Sequence, residues 1–72
     1  MITVYTKPSC PQCNATKKEL NKKGLVYSTI DVTKDMSAYA KITEELGYKS
    51  VPVVVTQNGH WAGFQIDKLD LL

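Results

Sequence analysis

The sequence predicts an α/β fold in which a four-stranded mixed sheet is flanked by helices, in the order β-α-β-α-β-β-α. Three observations lead to this prediction. Short β-branched and aromatic runs alternate with stretches of good helix formers, which is typical of βαβ units. A 13-residue helical stretch joins the first two runs, so they are expected to pair in parallel through a right-handed crossover. Asn58-Gly59, between the last two runs, indicates an antiparallel hairpin.

The first βαβ unit is predicted from residues 2–32. ITVYT at 2–6 is apolar on both faces, which indicates a strand buried on two sides. A helix is predicted for residues 11–23, which are rich in Ala, Lys, Glu and Leu. Pro11 suits its first position and Gly24 its C-terminal end. The β-rich run LVYSTIDV at 25–32 then predicts the second strand.

A second helix is predicted for residues 35–46, with Thr33 or Asp35 as its N-terminal cap and Gly47 at its end. Its inner face is expected to carry an apolar stripe formed by Met36, Tyr39, Ile42 and Leu46.

The remaining residues predict a hairpin followed by a short helix. SVPVVV at 50–55 is interpreted as the third strand, interrupted near its start by Pro52. HWAGF at 60–64 follows the turn as the fourth strand, and residues 65–72 are interpreted as a terminal helix.

Length and charge narrow the function classes. Residues 1–72 are enough for one small domain, which we expect them to form. The net charge of +2 comes from nine lysines and no arginine, and this argues against nucleic-acid binding because base readout depends heavily on arginine. The cluster Lys17, Lys18, Lys22 and Lys23 is interpreted as a solvated helix face. No secretory signal or membrane-spanning run is visible, so we expect a cytoplasmic protein with no membrane partner.

Cys10 and Cys13 are the residues most suggestive of chemistry. Cys10 is expected near the N-cap of the first helix, where free N–H groups and the helix dipole favour a thiolate. Lys7 adds positive charge nearby, so we expect the pKa of Cys10 to lie below that of a free cysteine. Cys10 is therefore the predicted nucleophile, and Cys13, one turn further and deeper, the resolving cysteine. Pro11 and Gln12 lie between them and are expected to tune the redox potential.

A metal site is the alternative from another function class. A structural zinc site needs four ligands, and the only other soft candidate is His60, which is interpreted as an ordinary surface or strand residue. A copper(I) site formed by the two cysteines alone stays open, since thiolates suit that ion. The position of the pair between a buried strand and a helix favours redox chemistry, and no metal is expected.

Three segments carry a resemblance to a known family: YTKPSCPQCNATKKEL at 5–20, YKSVPVVV at 48–55 and HWAGFQID at 60–67. They resemble the NrdH-redoxin branch of the glutaredoxin-like proteins, in the thioredoxin superfamily. The resemblance implies a thioredoxin fold and a redox pair formed by Cys10 and Cys13. It also implies a carrier without a bound cofactor that takes electrons from NADPH through thioredoxin reductase. The implied target is a class Ib ribonucleotide reductase, and a monomer suits such a mobile carrier.

The resemblance also assigns residues outside the cysteine motif. Pro52 matches a cis-proline that faces the redox pair, which would expose the backbone of Val51 beside Cys10 to an extended partner segment. The sequence alone would favour an ordinary trans proline. The family's W-S-G-F segment, expected to contact partners, is matched by Trp61, Ala62, Gly63 and Phe64. Trp61 fits either a core role or a partner-facing one.

A glutathione-dependent glutaredoxin is the alternative within the superfamily. Such proteins resemble this one around C-P-x-C, and they carry a Gly-Gly pair followed by acidic or hydroxyl residues. Here the matching stretch is Ala62-Gly63-Phe64-Gln65, which departs from that pattern. Pro11 and Lys7 are glutaredoxin-like, whereas Gln12 is NrdH-like. Gln65-Ile66 replaces the Arg-Pro of the NrdH branch, which bears on recognition of its usual reductase.

Overall fold

The computed structural model describes residues 1–72 and contains four strands, three α-helices and one π-helical segment. Their bounds are β1 Ile2–Thr6, α1 Pro11–Lys22, β2 Tyr27–Asp31, α2 Met36–Ala40, the π segment Lys41–Glu45, β3 Val53–Thr56, β4 Gly59–Ala62 and α3 Ile66–Asp70. The predicted order of strands and helices is confirmed. No helix has the length and apolar character needed to cross a membrane.

The strands form one mixed sheet in the order β2-β1-β3-β4. β1 pairs in parallel with β2 and antiparallel with β3, and β3 pairs antiparallel with β4. Val4, Val54 and Trp61 lie opposite one another across the last three strands of that order. Both predicted pairing modes, the parallel crossover and the antiparallel hairpin, are therefore confirmed.

Helices cover both faces of the sheet, because successive strand residues point to opposite sides. On one face, the sheet packs against α1 and α3 through Val4, Leu20, Val54, Trp61 and Leu69. On the other face, it packs against α2 and the π segment through Tyr5, Val32, Ala38, Ile42 and Val53. The last three residues of β1 are accordingly buried, as expected for a strand covered on two sides.

Helix α1 has the ends that the sequence predicts. Cys10 is its N-cap, Pro11 its first residue and Lys23 its C-cap. Gly24 follows with φ +71°, in the left-handed region where glycine has no Cβ penalty. The N-terminal end matters for the site, because Cys10 is the N-cap there.

The second helix differs from its prediction in two ways. Asp35 caps it, with its carboxylate accepting the Ala38 N–H at 3.0 Å, but α-helical geometry changes to π-helical after Ala40. The expected apolar stripe is wrong at Met36 and Tyr39, which are 86% and 52% exposed. The stripe is confirmed at Ile42, which is 1% exposed and packs against the sheet together with Ala38, and at Leu46, which is partly buried against the same cluster.

The other strands are shorter than predicted. Val26 is 84% exposed and lies in the loop before β2, so that strand begins at Tyr27. Pro52 directly precedes β3, and Gly63 and Phe64 lie beyond β4. The residues left out of β3 and β4 therefore form loops beside the end of the sheet where α1 begins.

Candidate active site

Cys10 lies where the loop after β1 enters α1. Ser9 directly before it has φ +56°, an uncommon left-handed conformation for a residue other than glycine. Cys10 itself is extended, and its sulfur accepts the Cys13 N–H at 3.1 Å, while its carbonyl accepts the Asn14 N–H at 3.0 Å. Its sulfur thus occupies the N-cap position, where the free N–H groups of the first turn converge.

Cys10 and Cys13 form a disulfide within the first turn of α1. Their Cα atoms are 5.2 Å apart, inside the range that a disulfide spans without backbone movement. Cys13 is fully buried, whereas Cys10 retains 6% of its surface. Cys10 is therefore the more exposed residue of the pair, in the direction that the sequence predicts, although the difference is small.

The segment before β3 lies directly against Cys10. The Val51-Pro52 peptide bond is cis, and Pro52 is buried. The Cys10 sulfur is 4.0 Å from the carbonyl oxygen of Val51. In the disulfide this sulfur carries no hydrogen, so we treat the approach as a contact rather than a hydrogen bond. The backbone of Val51 thus lies beside Cys10, in the place that the resemblance implied.

Gln12 joins the cysteine motif to the loop after β4. Its Oε1 accepts the backbone N–H of Phe64 at 3.2 Å. The same loop is held to the segment before β3 because the Gly63 N–H donates to the carbonyl of Pro52 at 2.7 Å. Gln65 closes the loop on itself, with its Nε2 donating to the Ala62 carbonyl at 2.8 Å. The structure therefore brings the motif, the proline segment and this loop together.

Trp61 is the exception among the predicted site residues. It is 8% exposed and packs with Leu20 and Leu69 in the core under α1 and α3. Its indole Nε1 is buried without a hydrogen-bond partner. Of the two roles that the sequence left open for Trp61, this placement fits the core one.

Lys7 is exposed and lines a groove. The groove has a volume of about 400 Å³ and runs between the loop after β1, α2 and the segment before β3. Met36, Tyr39 and Lys49 line it together with Val51. None of the first three was singled out as a site residue from the sequence. Lys49 could have been found from the sequence, because it lies two positions before Val51, which was predicted to bind the partner.

Two carboxylates near the groove have shifted pKa values. The hydroxyl of Thr33 donates to Asp31 at 2.6 Å and its N–H donates at 2.8 Å, which lowers the pKa of Asp31. The hydroxyl of Ser37 donates to Asp35 at 2.7 Å, and with the Ala38 N–H it lowers the pKa of Asp35. Both carboxylates are therefore held ionised by local donors in the turn that leads into α2.

The structure contains no group of three or more His, Cys, Asp or Glu side chains that could hold a metal ion. His60, the only other soft ligand considered from the sequence, has its Nδ1 at 2.8 Å from the hydroxyl of Tyr48. The two rings meet edge to face, with their centroids 5.5 Å apart. His60 is thus an exposed partner of Tyr48 on the sheet edge.

Comparisons with known proteins agree with this geometry. The glutaredoxin family model matches residues 2–61. The gene 56 protein of Mycobacterium phage L5 is 42% identical to this chain, over 99% of the chain and 70% of that protein. The glutaredoxin-like protein NrdH of Escherichia coli is 34% identical, over 99% of the chain and 86% of that protein.

The solved structure of E. coli NrdH-redoxin, described as having a thioredoxin-like activity profile, superimposes with a TM-score of 0.90 at 34% identity. The match covers 99% of this chain and 92% of that one. This likeness extends over the whole sheet and the cysteine-bearing helix. The chain therefore belongs to the glutaredoxin family and, within it, to the glutaredoxin-like NrdH-redoxins.

Proposed function

We propose that this protein is a dithiol-disulfide oxidoreductase that carries electrons from thioredoxin reductase, and hence from NADPH, to a protein disulfide. The proposed target is the large subunit of a class Ib ribonucleotide reductase. The observation that carries the proposal is the Cys10–Cys13 disulfide on the first turn of α1, with the Cys10 sulfur against the Val51 carbonyl. The proposal includes a cytoplasmic, monomeric, single-domain carrier with no bound cofactor.

The reaction begins from the reduced pair. The thiolate of Cys10 attacks one sulfur of the partner disulfide, and the other partner sulfur leaves as a thiolate that takes up a proton. The Cys13 thiol then loses its proton and attacks the Cys10 sulfur, which releases the second partner thiolate. Two electrons have passed to the partner, and the Cys10–Cys13 disulfide has formed. The 5.2 Å between the Cα atoms supports this closure, because it lies within the range that a disulfide bond spans.

The environment of Cys10 supports its role as the attacking sulfur. The Cys13 N–H that donates to it at 3.1 Å would donate to a thiolate as well, and the α1 dipole adds to that stabilisation. The Val51 carbonyl, 4.0 Å away, is an acceptor for a backbone N–H of an extended partner segment. Such pairing would hold the partner disulfide beside Cys10.

The loop after β4 bears on the choice of electron donor. A small peptide such as glutathione would need backbone N–H groups in this loop for its carboxylates. The Phe64 N–H is already taken by Gln12, and no acidic or hydroxyl side chain follows Gly63 directly. Phe64 is 38% exposed and offers an apolar surface instead. These features favour a protein donor over glutathione, the alternative that the sequence left open.

The test compares two coupled assays of NADPH oxidation on one disulfide substrate. One assay supplies thioredoxin reductase, and the other supplies glutathione with glutathione reductase. We expect turnover in the first and little in the second, and turnover through glutathione alone would overturn the choice of donor. Cys10→Ser should abolish activity, whereas Cys13→Ser should trap a mixed disulfide on Cys10 that mass spectrometry detects.

The Cys13→Ser variant also isolates Cys10 for titration. We expect the thiolate absorbance to give Cys10 a pKa below that of a free cysteine, because the N-cap position stabilises the charged form. The control is the same titration after urea unfolding, in which the shift should vanish. An ordinary pKa in the folded variant would contradict the assignment of Cys10 as the nucleophile.

A further inference from the structure

The groove beside the redox pair combines an apolar floor with exposed apolar walls. Ile42 at its base is 1% exposed, whereas Met36 and Tyr39 retain 86% and 52% of their surface. Two large apolar side chains are therefore exposed beside a groove of about 400 Å³. Met36 and Tyr39 are two of the four residues expected on the inner stripe of this helix, and their outward placement provides a surface that a partner can cover.

The rim of the groove is positively charged. Lys7 and Lys49 line it from two different loops, and both are exposed. Neither forms an ion pair, since the structure contains a single one, between Lys23 and Asp70 at 3.9 Å. The carboxylates of Asp31 and Asp35 lie near the groove but do not line it, so the charges on the lining itself are those of the two lysines. The groove is therefore complementary to an apolar side chain flanked by carboxylates.

The groove is continuous with the redox pair. Val51 lines the groove, and its carbonyl oxygen is 4.0 Å from the Cys10 sulfur. A segment that pairs with the Val51 backbone while its disulfide meets Cys10 would continue directly over the groove. An extended segment advances about 3.3 Å per residue, so the partner residues next to the partner's reacting cysteine would lie against the groove.

Resting on the proposed function, we propose that this groove binds the partner protein through the segment next to its disulfide. The occupant is an extended stretch that inserts one large apolar side chain between Met36 and Tyr39. Acidic residues on either side of that side chain pair with Lys7 and Lys49. The groove thus sets a preference among protein disulfides for those with an apolar and acidic neighbourhood.

The test uses three synthetic peptides with the same internal disulfide. In the first, the disulfide is followed by a leucine with a glutamate on each side. The second has glutamines in place of the glutamates, and the third has a serine in place of the leucine. Second-order rate constants for reduction by the prereduced protein are measured at low and at high salt. We expect the first peptide to react roughly 2- to 30-fold faster than the second at low salt, the range for two exposed ion pairs.

Matched variants locate the preference. Lys7→Gln combined with Lys49→Gln should remove the discrimination between glutamate and glutamine peptides. The control combines Lys18→Gln with Lys22→Gln, which removes the same charge from exposed positions on α1, and the discrimination should persist. Met36→Ser should reduce the preference for leucine over serine, and it should leave folding unchanged because Met36 is exposed. High salt should weaken the charge-dependent preference alone.

Each remaining outcome overturns the inference. Equal rates for the three peptides would refute the groove as a recognition site while leaving disulfide reduction intact. An equal loss in the Lys18 and Lys22 control would show that overall charge, rather than the groove, attracts acidic peptides. If S-methylglutathione at micromolar concentration inhibits reduction of the first peptide, the groove is a glutathione site and the inference is wrong. No reduction of any peptide would instead refute the proposed function itself.

Discussion

Gly63 gives a sharp test of how the loop after β4 is held. Its φ of +83° lies in the left-handed region, and a Cβ added there would meet only the Oε1 of Gln12, at 3.6 Å. That distance is an ordinary contact, so the cost of Gly63→Ala is backbone strain rather than a clash. Left-handed strain costs about 1–2 kcal/mol, and the stiffer unfolded chain returns about 0.4–1 kcal/mol. We expect a net loss of about 1 kcal/mol in the free energy of unfolding.

Function should fall as well, because the strained loop carries two contacts of the site. The Gly63 N–H donates to Pro52 at 2.7 Å, and the neighbouring Phe64 N–H donates to Gln12 at 3.2 Å. Relaxing φ toward ordinary values would move both donors away from their acceptors. If partner binding loses about 1 kcal/mol in this way, the rate constant for disulfide reduction should fall about fivefold.

Urea unfolding and the reduction of a peptide disulfide measure the two effects separately. With a slope near 1 kcal/mol per molar urea, the expected midpoint shift is about 1 M. The matched control is Gly24→Ala, at φ +71° with nothing within 4 Å of the added Cβ. It should lose comparable stability and keep its activity, because Gly24 lies at the far end of α1.

Two results would refute this reasoning. An unchanged urea midpoint for Gly63→Ala would mean that the left-handed conformation is not needed there. A loss of activity in Gly24→Ala equal to that in Gly63→Ala would mean that reduced stability alone slows the reaction. In either case the loop would not position the site as the hydrogen bonds suggest.

Three further predictions concern the core and the acid range. Leu20→Ala should cost about 2–5 kcal/mol in urea unfolding, since Leu20 is fully buried between α1 and the sheet, and a loss below about 1 kcal/mol would contradict its core role. Trp61→Phe should lower the free energy of unfolding by less than Leu20→Ala does. The lost packing contacts are partly offset because the substitution removes a buried N–H that has no hydrogen-bond partner. A larger loss than that of Leu20→Ala would contradict this. Asp35→Asn should weaken the loss of stability at acid pH. Hydrogen bonds from Ser37 and Ala38 lower the pKa of Asp35 in the folded protein. The stabilisation by the Asp35 carboxylate is therefore present above about pH 4 and is lost as the pH falls through its folded pKa. Urea midpoints at pH 7 and pH 3 measure this, and an identical pH dependence in the two proteins would contradict it.

Local patterns in the sequence determined most of the framework. The apolar run of β1 requires burial on two sides, and the structure covers both faces of that strand with helices. Pro11 and Gly24 mark the two ends of α1 because one lacks an N–H and the other lacks a Cβ. The place of Cys10 at the helix N-terminus follows from these same signals. Such features are predictable because neighbouring residues alone decide them.

Other features depend on contacts between segments far apart in the chain, and only the tertiary structure decided them. A helical period of apolar residues does not specify which side meets the sheet, so Met36 and Tyr39 point outward although their spacing suited the core. Trp61 fitted two roles until the packing of α1 and α3 enclosed it. The groove exists because the fold brings Lys7, 42 positions away in sequence from Lys49, to the same rim. Spacing along the chain carries no information about such a meeting, whereas burial and charge in three dimensions define it.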